Sequence, residues 1–298
     1  MSTQPDQAVQ RIVSIVQRRA NTDRKMGYHW MIVPLLPVLA GIGIGIALVG
    51  VIVSAIPKIT SISQPQTVQT AQNLVAPILV EVLALYGGAI ILLYAALLLG
   101  ALGFYSLIDR RTRHFTRQQL LFSTLQEYLA SKAPAGENIT RLRQLSEDSV
   151  YEERDRPAGL WAVLFLFVSP IIGLLASYNL TQDMRKHDEL QSNYQTTLVN
   201  ALGEAGLQPP AFTPYKSHKR DPVLFIILSA ITGGLFWIYW FYTLLKDYNE
   251  HFTDQAKFED QLLNLLKPQG NGKPCVTCGG RVPAAAKFCP SCGTQQPA

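Results

Sequence analysis

Four long apolar runs constrain this chain more than any other feature: Met31 to Ile56, Leu74 to Ile108, Leu160 to Leu180 and Pro222 to Leu245. Each reaches or exceeds the roughly 20 apolar residues that cross a bilayer core of about 30 Å. Glu81 is the one charged residue inside them. Only 16% of the residues are charged and the mean hydropathy is positive, at +0.13, which belongs to membrane proteins more than to soluble ones. A buried helix of a soluble domain would carry a polar stripe, and these runs carry none. The sequence therefore predicts an all-α integral membrane protein with about four transmembrane helices. Residues 1–29 are too long and too polar for the leader of a signal peptide, so the first run is expected to remain as an anchor.

Lys and Arg are unevenly divided among the connecting segments. Five precede the first run (Arg11, Arg18, Arg19, Arg24, Lys25), and Lys58 alone separates the first from the second. Nine lie in Asp109 to Gly159, five in Thr181 to Asp221 and six after Leu245. With four crossings the first, third and fifth segments share one side and hold most of the positive charge, which places them in the cytoplasm. All four cysteines lie in the tail, and a thiolate cluster suits a reducing compartment. Both features predict a protein of the cell (cytoplasmic) membrane with both termini facing the cytoplasm.

Three stretches repeat one unit. LFLFVSPIIGLL from Leu164 aligns with LFIILSAITGGL from Leu224. YNLTQDMRKH from Tyr178 then aligns with YTLLKDYNEH from Tyr242, the spacing having grown by four residues, about one helical turn. YSLIDRRTRHFTRQ from Tyr105 supplies a third copy. Each copy reads as an apolar helix that continues into an amphipathic one. Leu121, Leu125 and Tyr128 share a face in the first; Leu190, Tyr194, Leu198 and Leu202 in the second; Tyr248, Phe252, Leu262 and Leu266 in the third. The repeated Tyr would sit at the membrane interface. His114, His187 and His251 would begin the exposed helices, solvated. Four strict crossings put the middle exit opposite the other two. Either the copies alternate in orientation, or a run turns back, for which Pro170 and Thr232 to Gly234 offer break points.

GLFWIYWFYTLLKDYNEHF, from Gly234, is similar to the signature of a prokaryotic membrane family of unknown function: a Gly, then aromatic-Trp-Ile-Tyr-Trp, then a Lys-Asp-x-Asn exit. The likeness covers the fourth run and its exit, and implies a membrane location but no activity. The copy at Tyr178 lacks the Trp pair.

The tail, CVTCGGRVPAAAKFCPSCG from Cys275, holds two C-x2-C pairs, Cys275 with Cys278 and Cys289 with Cys292. The Gly after each pair suits a turn with positive φ, from which backbone N–H groups can face the sulfurs. Four thiolates make a closed tetrahedral site, which points to structural Zn2+, with iron as the alternative. The stretch resembles the short prokaryotic zinc ribbon, down to Pro283, Lys287 and Phe288. That resemblance implies two small turns with a minimal sheet, and Phe288 covering the knuckle. Metal binding would supply the folding energy of so small a unit.

Other candidates are weaker. Glu81 lies inside the second run, either as a proton or cation group or at the outer interface. Gly41 and Gly45 are spaced for close helix contact. Glu152 and Glu153 belong to a charged run, YEERDRP, that reads as a solvated surface. Val9, Ile12, Val13 and Val16 form an apolar face in the first segment, for the membrane surface or for another helix. No catalytic or cofactor-binding constellation stands out in the sequence.

The predicted organisation is an amphipathic segment over 1–29, a transmembrane pair over 30–108, a cytoplasmic helical and charged segment over 109–159, a second pair with helical extensions over 160–266, a linker over 267–274 and the zinc ribbon over 275–293. The function expected is a non-enzymatic membrane anchor or accessory subunit that presents the ribbon and the amphipathic helices to a protein partner. A small transporter or channel, and a membrane-tethered regulator binding nucleic acid through the ribbon, are the alternatives. The tail offers little basic and aromatic surface for nucleic acid: Lys273, Arg281, Lys287 and Phe288. The oligomeric state is left open.

Overall fold

A computed structural model of the chain describes residues 4–60, 68–133, 136–209, 211–212 and 218–266, and in the tail 273–275, 277, 281–282, 287–289 and 292–295. The helices are α1 (Gln4–Gln17), α2 (Arg19–Thr22), a 3-10 turn (Tyr28–Met31), α3 (Ile32–Thr60), α4 (Val68–Lys132), α5 (Glu137–Glu152), α6 (Ala158–Phe167), α7 (Ser169–Glu204), α8 (Pro222–Ile231) and α9 (Leu235–Leu266). Two short strands, β1 (Lys273–Pro274) and β2 (Arg281–Val282), pair antiparallel in the tail.

Among the described residues, α3 and α4 alone are long and apolar enough to cross a membrane. In their most apolar 18-residue windows, none of the α3 residues and 6% of the α4 residues are buried within the protein. The expected four helices long and apolar enough to cross are thus corrected to two. The third and fourth runs are long enough, but each is broken in the middle. The third splits at Val168 into α6 and α7, the fourth at Thr232–Gly234 into α8 and α9. The second break uses Gly233 and Gly234 at φ 60 and 93, conformations that a side chain would strain. α6 and α8 have ten residues each, about 15 Å of helix, half of what a crossing requires.

Each short helix folds back on the helix after it. Phe165 of α6 lies against Gly173 of α7, and Phe225 of α8 packs edge-on against Trp240 of α9. A bidentate ion pair closes the open end of each hairpin. Arg156 Nε and Nη2 donate to Asp183 at 2.6 and 2.8 Å. Arg220 grips Asp247 in the same way, with Nη2 2.9 Å from Oδ1. In α8, Asp221 caps the helix, accepting from the backbone N–H groups of Val223 and Leu224 at 2.9 and 3.3 Å.

Beyond the hairpins, α4, α7 and α9 continue side by side in the same direction as a parallel three-helix bundle. All three exits therefore lie at one end, which resolves the conflict between the repeat and four crossings. Heptad-like positions fill the axis: Leu121, Tyr194 and Phe258, then Leu125, Leu198 and Leu262, all within one core cluster. The faces read as amphipathic from sequence are spent on packing within the protein, Tyr248 and Phe252 on a second core and most of the others on this one. Val9, Ile12 and Val16 of α1 join it, packing α1 on the bundle instead of on lipid. α5 packs against α4 and α7. The second cluster joins Phe104 of α4 to Phe165, Trp240 and Phe241 of the hairpins. Gly41 and Gly45, expected at a close helix contact, have nothing within 4 Å of where a side chain would begin. Gly100 and Gly173 are tight instead, with Phe165 2.5 Å and Trp237 2.9 Å from that point.

Candidate functional site

In the tail, Cys275, Cys289 and Cys292 lie together, their sulfurs within 4.8 Å of one another. Cys275 and Cys289 are buried and Cys292 is exposed. Cys275 Sγ is 3.6 Å from Cys292 Sγ, near the roughly 3.8 Å that a tetrahedral ion with 2.3 Å bonds imposes on two sulfurs. The Thr277 N–H points at Cys275 Sγ at 3.4 Å, and the Gly293 N–H donates to the Cys289 carbonyl at 2.8 Å with φ 71 at the glycine. These three cysteines form a possible metal-binding group. Cys278, Pro283 and most of the linker 267–274 lie outside the described residues. Phe288, expected to cover the knuckle, is 58% exposed and pairs by backbone with Gln295.

The bundle holds a second polar constellation. His114, His187 and His251, expected in solvent, are buried at 0–2% exposure. The reason is the parallel bundle: the same position of each copy faces the axis. His114 Nε2 lies 3.2 Å from His251 Nε2, and the His187 ring sits 4.8 Å from that of His251 and 5.3 Å from that of His114. One turn further along, Gln118, Gln191 and Gln255 meet in the same way. Gln255 Nε2 donates to Gln118 Oε1 at 2.6 Å, and Gln191 Nε2 donates to Gln255 Oε1.

A carboxylate holds the outer nitrogen of each histidine. His114 Nδ1 is 3.0 Å from Asp23, His187 Nδ1 2.5 Å from Glu153 and His251 Nδ1 2.9 Å from Asp188. Glu153, read from sequence as part of a solvated run, is 3% exposed here because it reaches inward to His187. Burial pushes His114 down to about 3 against the pull of Asp23, and it lowers His251 against Asp188. Burial also works to raise Asp23 and Asp188, but their histidine partners outweigh it and hold both well below the usual carboxylate range. His114 and His251 are thus neutral, and Asp23 and Asp188 charged. An ionised carboxylate only accepts, so the ring proton belongs on Nδ1.

Ion pairs brace this layer. Arg117 donates to Asp23 and to Glu259, both at 2.7 Å, and all three side chains are 3% exposed or less. In the third copy a further imidazole, His218, stands behind the carboxylate Asp188. It contacts Asp188 at 3.1 Å and Glu250 at 3.4 Å.

Glu81 is exposed on the outer side of α4. Comparison with family models, curated proteins and solved structures gives no match.

Proposed function

We propose that the chain is a non-enzymatic anchor of the cytoplasmic membrane that holds a zinc-bound tail close to the bilayer for a protein partner. The supporting observation is the outward placement of its apolar side chains. Ile46, Leu83 and Ile91 on α3 and α4, and Phe167 and Ile231 at the hairpin tips, are 63–80% exposed. Such a surface costs free energy in water and none in lipid. In this reading α3 and α4 cross, the two hairpins enter only half the bilayer, and the bundle and both termini share the cytoplasmic side. The helix faces first considered for a partner close on one another, so docking falls to the tail. An outward-facing Glu81 suits the outer interface better than a transport path between the hairpins.

The test is affinity purification from native membranes in mild detergent, comparing the wild type with a variant in which Cys275, Cys278, Cys289 and Cys292 are all Ser. A defined protein partner should be present with the wild type and lost with the variant, while both insert equally. A partner retained without the cysteines overturns the role of the tail. Recovery of nucleic acid in its place would favour a tethered regulator.

A further inference from the structure

We propose that His114, His187 and His251 form a three-nitrogen site for a divalent first-row transition ion, zinc foremost, on the axis of the bundle. The need for an ion follows from where the lone pairs point. A carboxylate oxygen lies 2.5–3.0 Å from each Nδ1, a placement that favours the ring proton there and leaves a lone pair at each Nε2. Two of these acceptors, on His114 and His251, then face each other at 3.2 Å. The third, His187 Nε2, is buried with no hydrogen-bond partner. Acceptors aimed at acceptors in a dry core are costly unless something positive lies between them.

The dimensions suit a metal. Bonds of about 2.0–2.1 Å in a tetrahedron set neighbouring nitrogens about 3.3–3.4 Å apart. The His114–His251 separation is 3.2 Å, and one nitrogen from each of the three rings lies within 4.8 Å of the others. A turn of the third ring closes it onto the ion. The carboxylates behind the rings are the usual partners of metal-bound histidines, fixing tautomer and orientation and raising basicity. They come from three places: the end of α2, the segment between α5 and α6, and α7 itself. An ion would therefore tie all three copies of the repeat together. Neutral imidazoles select zinc, copper, nickel or cobalt over magnesium or calcium. All three rings are buried at 0–2% exposure, which suits a stabilising site and not a hydrolytic one.

The test uses the full chain with the four tail cysteines changed to Ser, so that any remaining metal belongs to the bundle. Elemental analysis should find about one equivalent of transition metal per chain. The metal-free protein titrated with Co2+ should develop the visible absorption of a four-coordinate ion. His187→Gln should abolish both. Glu153→Gln, which leaves all three ligands in place, should weaken Co2+ binding about 10–100-fold. Should His187→Gln fail to fold, Glu153→Gln decides. The proposal is overturned if the four-Ser protein holds no metal and gives no Co2+ spectrum, or if Glu153→Gln binds Co2+ as tightly as its parent. In the first case a shared proton closes the cluster.

Discussion

The two helical hairpins give the sharpest prediction, because in the proposed topology they reverse the sidedness of one segment. Arg156 and Asp183 are 27 residues apart in sequence and 2.6 Å apart in space. On one straight helix the same separation would be about 40 Å, a full crossing. Single cysteines placed at Ser123, Ser192 and Lys257, in a background with the native tail cysteines changed to Ser, sample the exposed sides of α4, α7 and α9. A membrane-impermeant maleimide should label all three from the same side, tested in right-side-out and inverted vesicles. A spin label at Phe167→Cys should lie about 15 Å below the interface, the length of the ten-residue arm, and so near the middle of the bilayer. If Ser192→Cys labels from the side opposite Ser123→Cys and Lys257→Cys, the third run crosses, and the reasoning from the Arg–Asp clasp is wrong.

Other consequences follow from the packing. Gly173→Leu should cost about 1–3 kcal/mol by overpacking against Trp237 and Phe165, while Gly41→Leu, with open space around it, should leave the melting temperature in detergent unchanged. Arg117→Met should destabilise by about 3–5 kcal/mol because Asp23 and Glu259 stay buried without their cation, and adding Glu259→Met should recover part of the loss in a denaturant titration. Burial opposes charge on His218, but Asp188, Asp247 and Glu250 outweigh it and raise its pKa above the ordinary 6.5. Its stabilisation is thus complete below pH 6.5 and lost as pH rises through the folded value, so the gap in melting temperature between wild type and His218→Gln should narrow from pH 6 to pH 9. Cys289→Ser should make the tail protease-sensitive without shifting the melting of the bundle, and equal resistance would separate the cysteine cluster from metal binding.

The repeat was legible in the sequence, and so were the apolar faces that became the core. The topology was not, because hydropathy averages over a run: Val168 and Thr232–Gly234 turn the chain back without adding a charge. The buried histidines were missed for a different reason. Each exit was read as a single amphipathic helix, on which a His beside charged neighbours looks solvated. The signal lay in the spacing. His, Gln and two apolar residues recur in alternating steps of four and three at His114, Gln118, Leu121 and Leu125, at His187, Gln191, Tyr194 and Leu198, and at His251, Gln255, Phe258 and Leu262. That is a coiled-coil pattern with two polar layers. The carboxylates of Asp23 and Glu153 come from distant segments, which no local pattern connects to a histidine.

The two polar layers also explain how the copies find their register. Matched by apolar residues alone, Leu164 pairs with Leu224, which is one helical turn out of step with the structure. The Arg–Asp clasps, the histidines and the glutamines of the second and third copies all recur at the spacing of 64 that separates Gln191 from Gln255. Leucines and phenylalanines tolerate a one-turn slip, since one apolar contact replaces another at little cost. A histidine shifted by a turn would lose its carboxylate and face a glutamine or a leucine, leaving buried polar groups unpaired at about 1–3 kcal/mol each. The axial His and Gln layers therefore specify alignment, while the apolar layers above them supply most of the burial. A buried polar residue at an axial position is a known device for fixing register. Here three copies of one unit within a single chain use it to choose one parallel arrangement among several of nearly equal hydrophobic content.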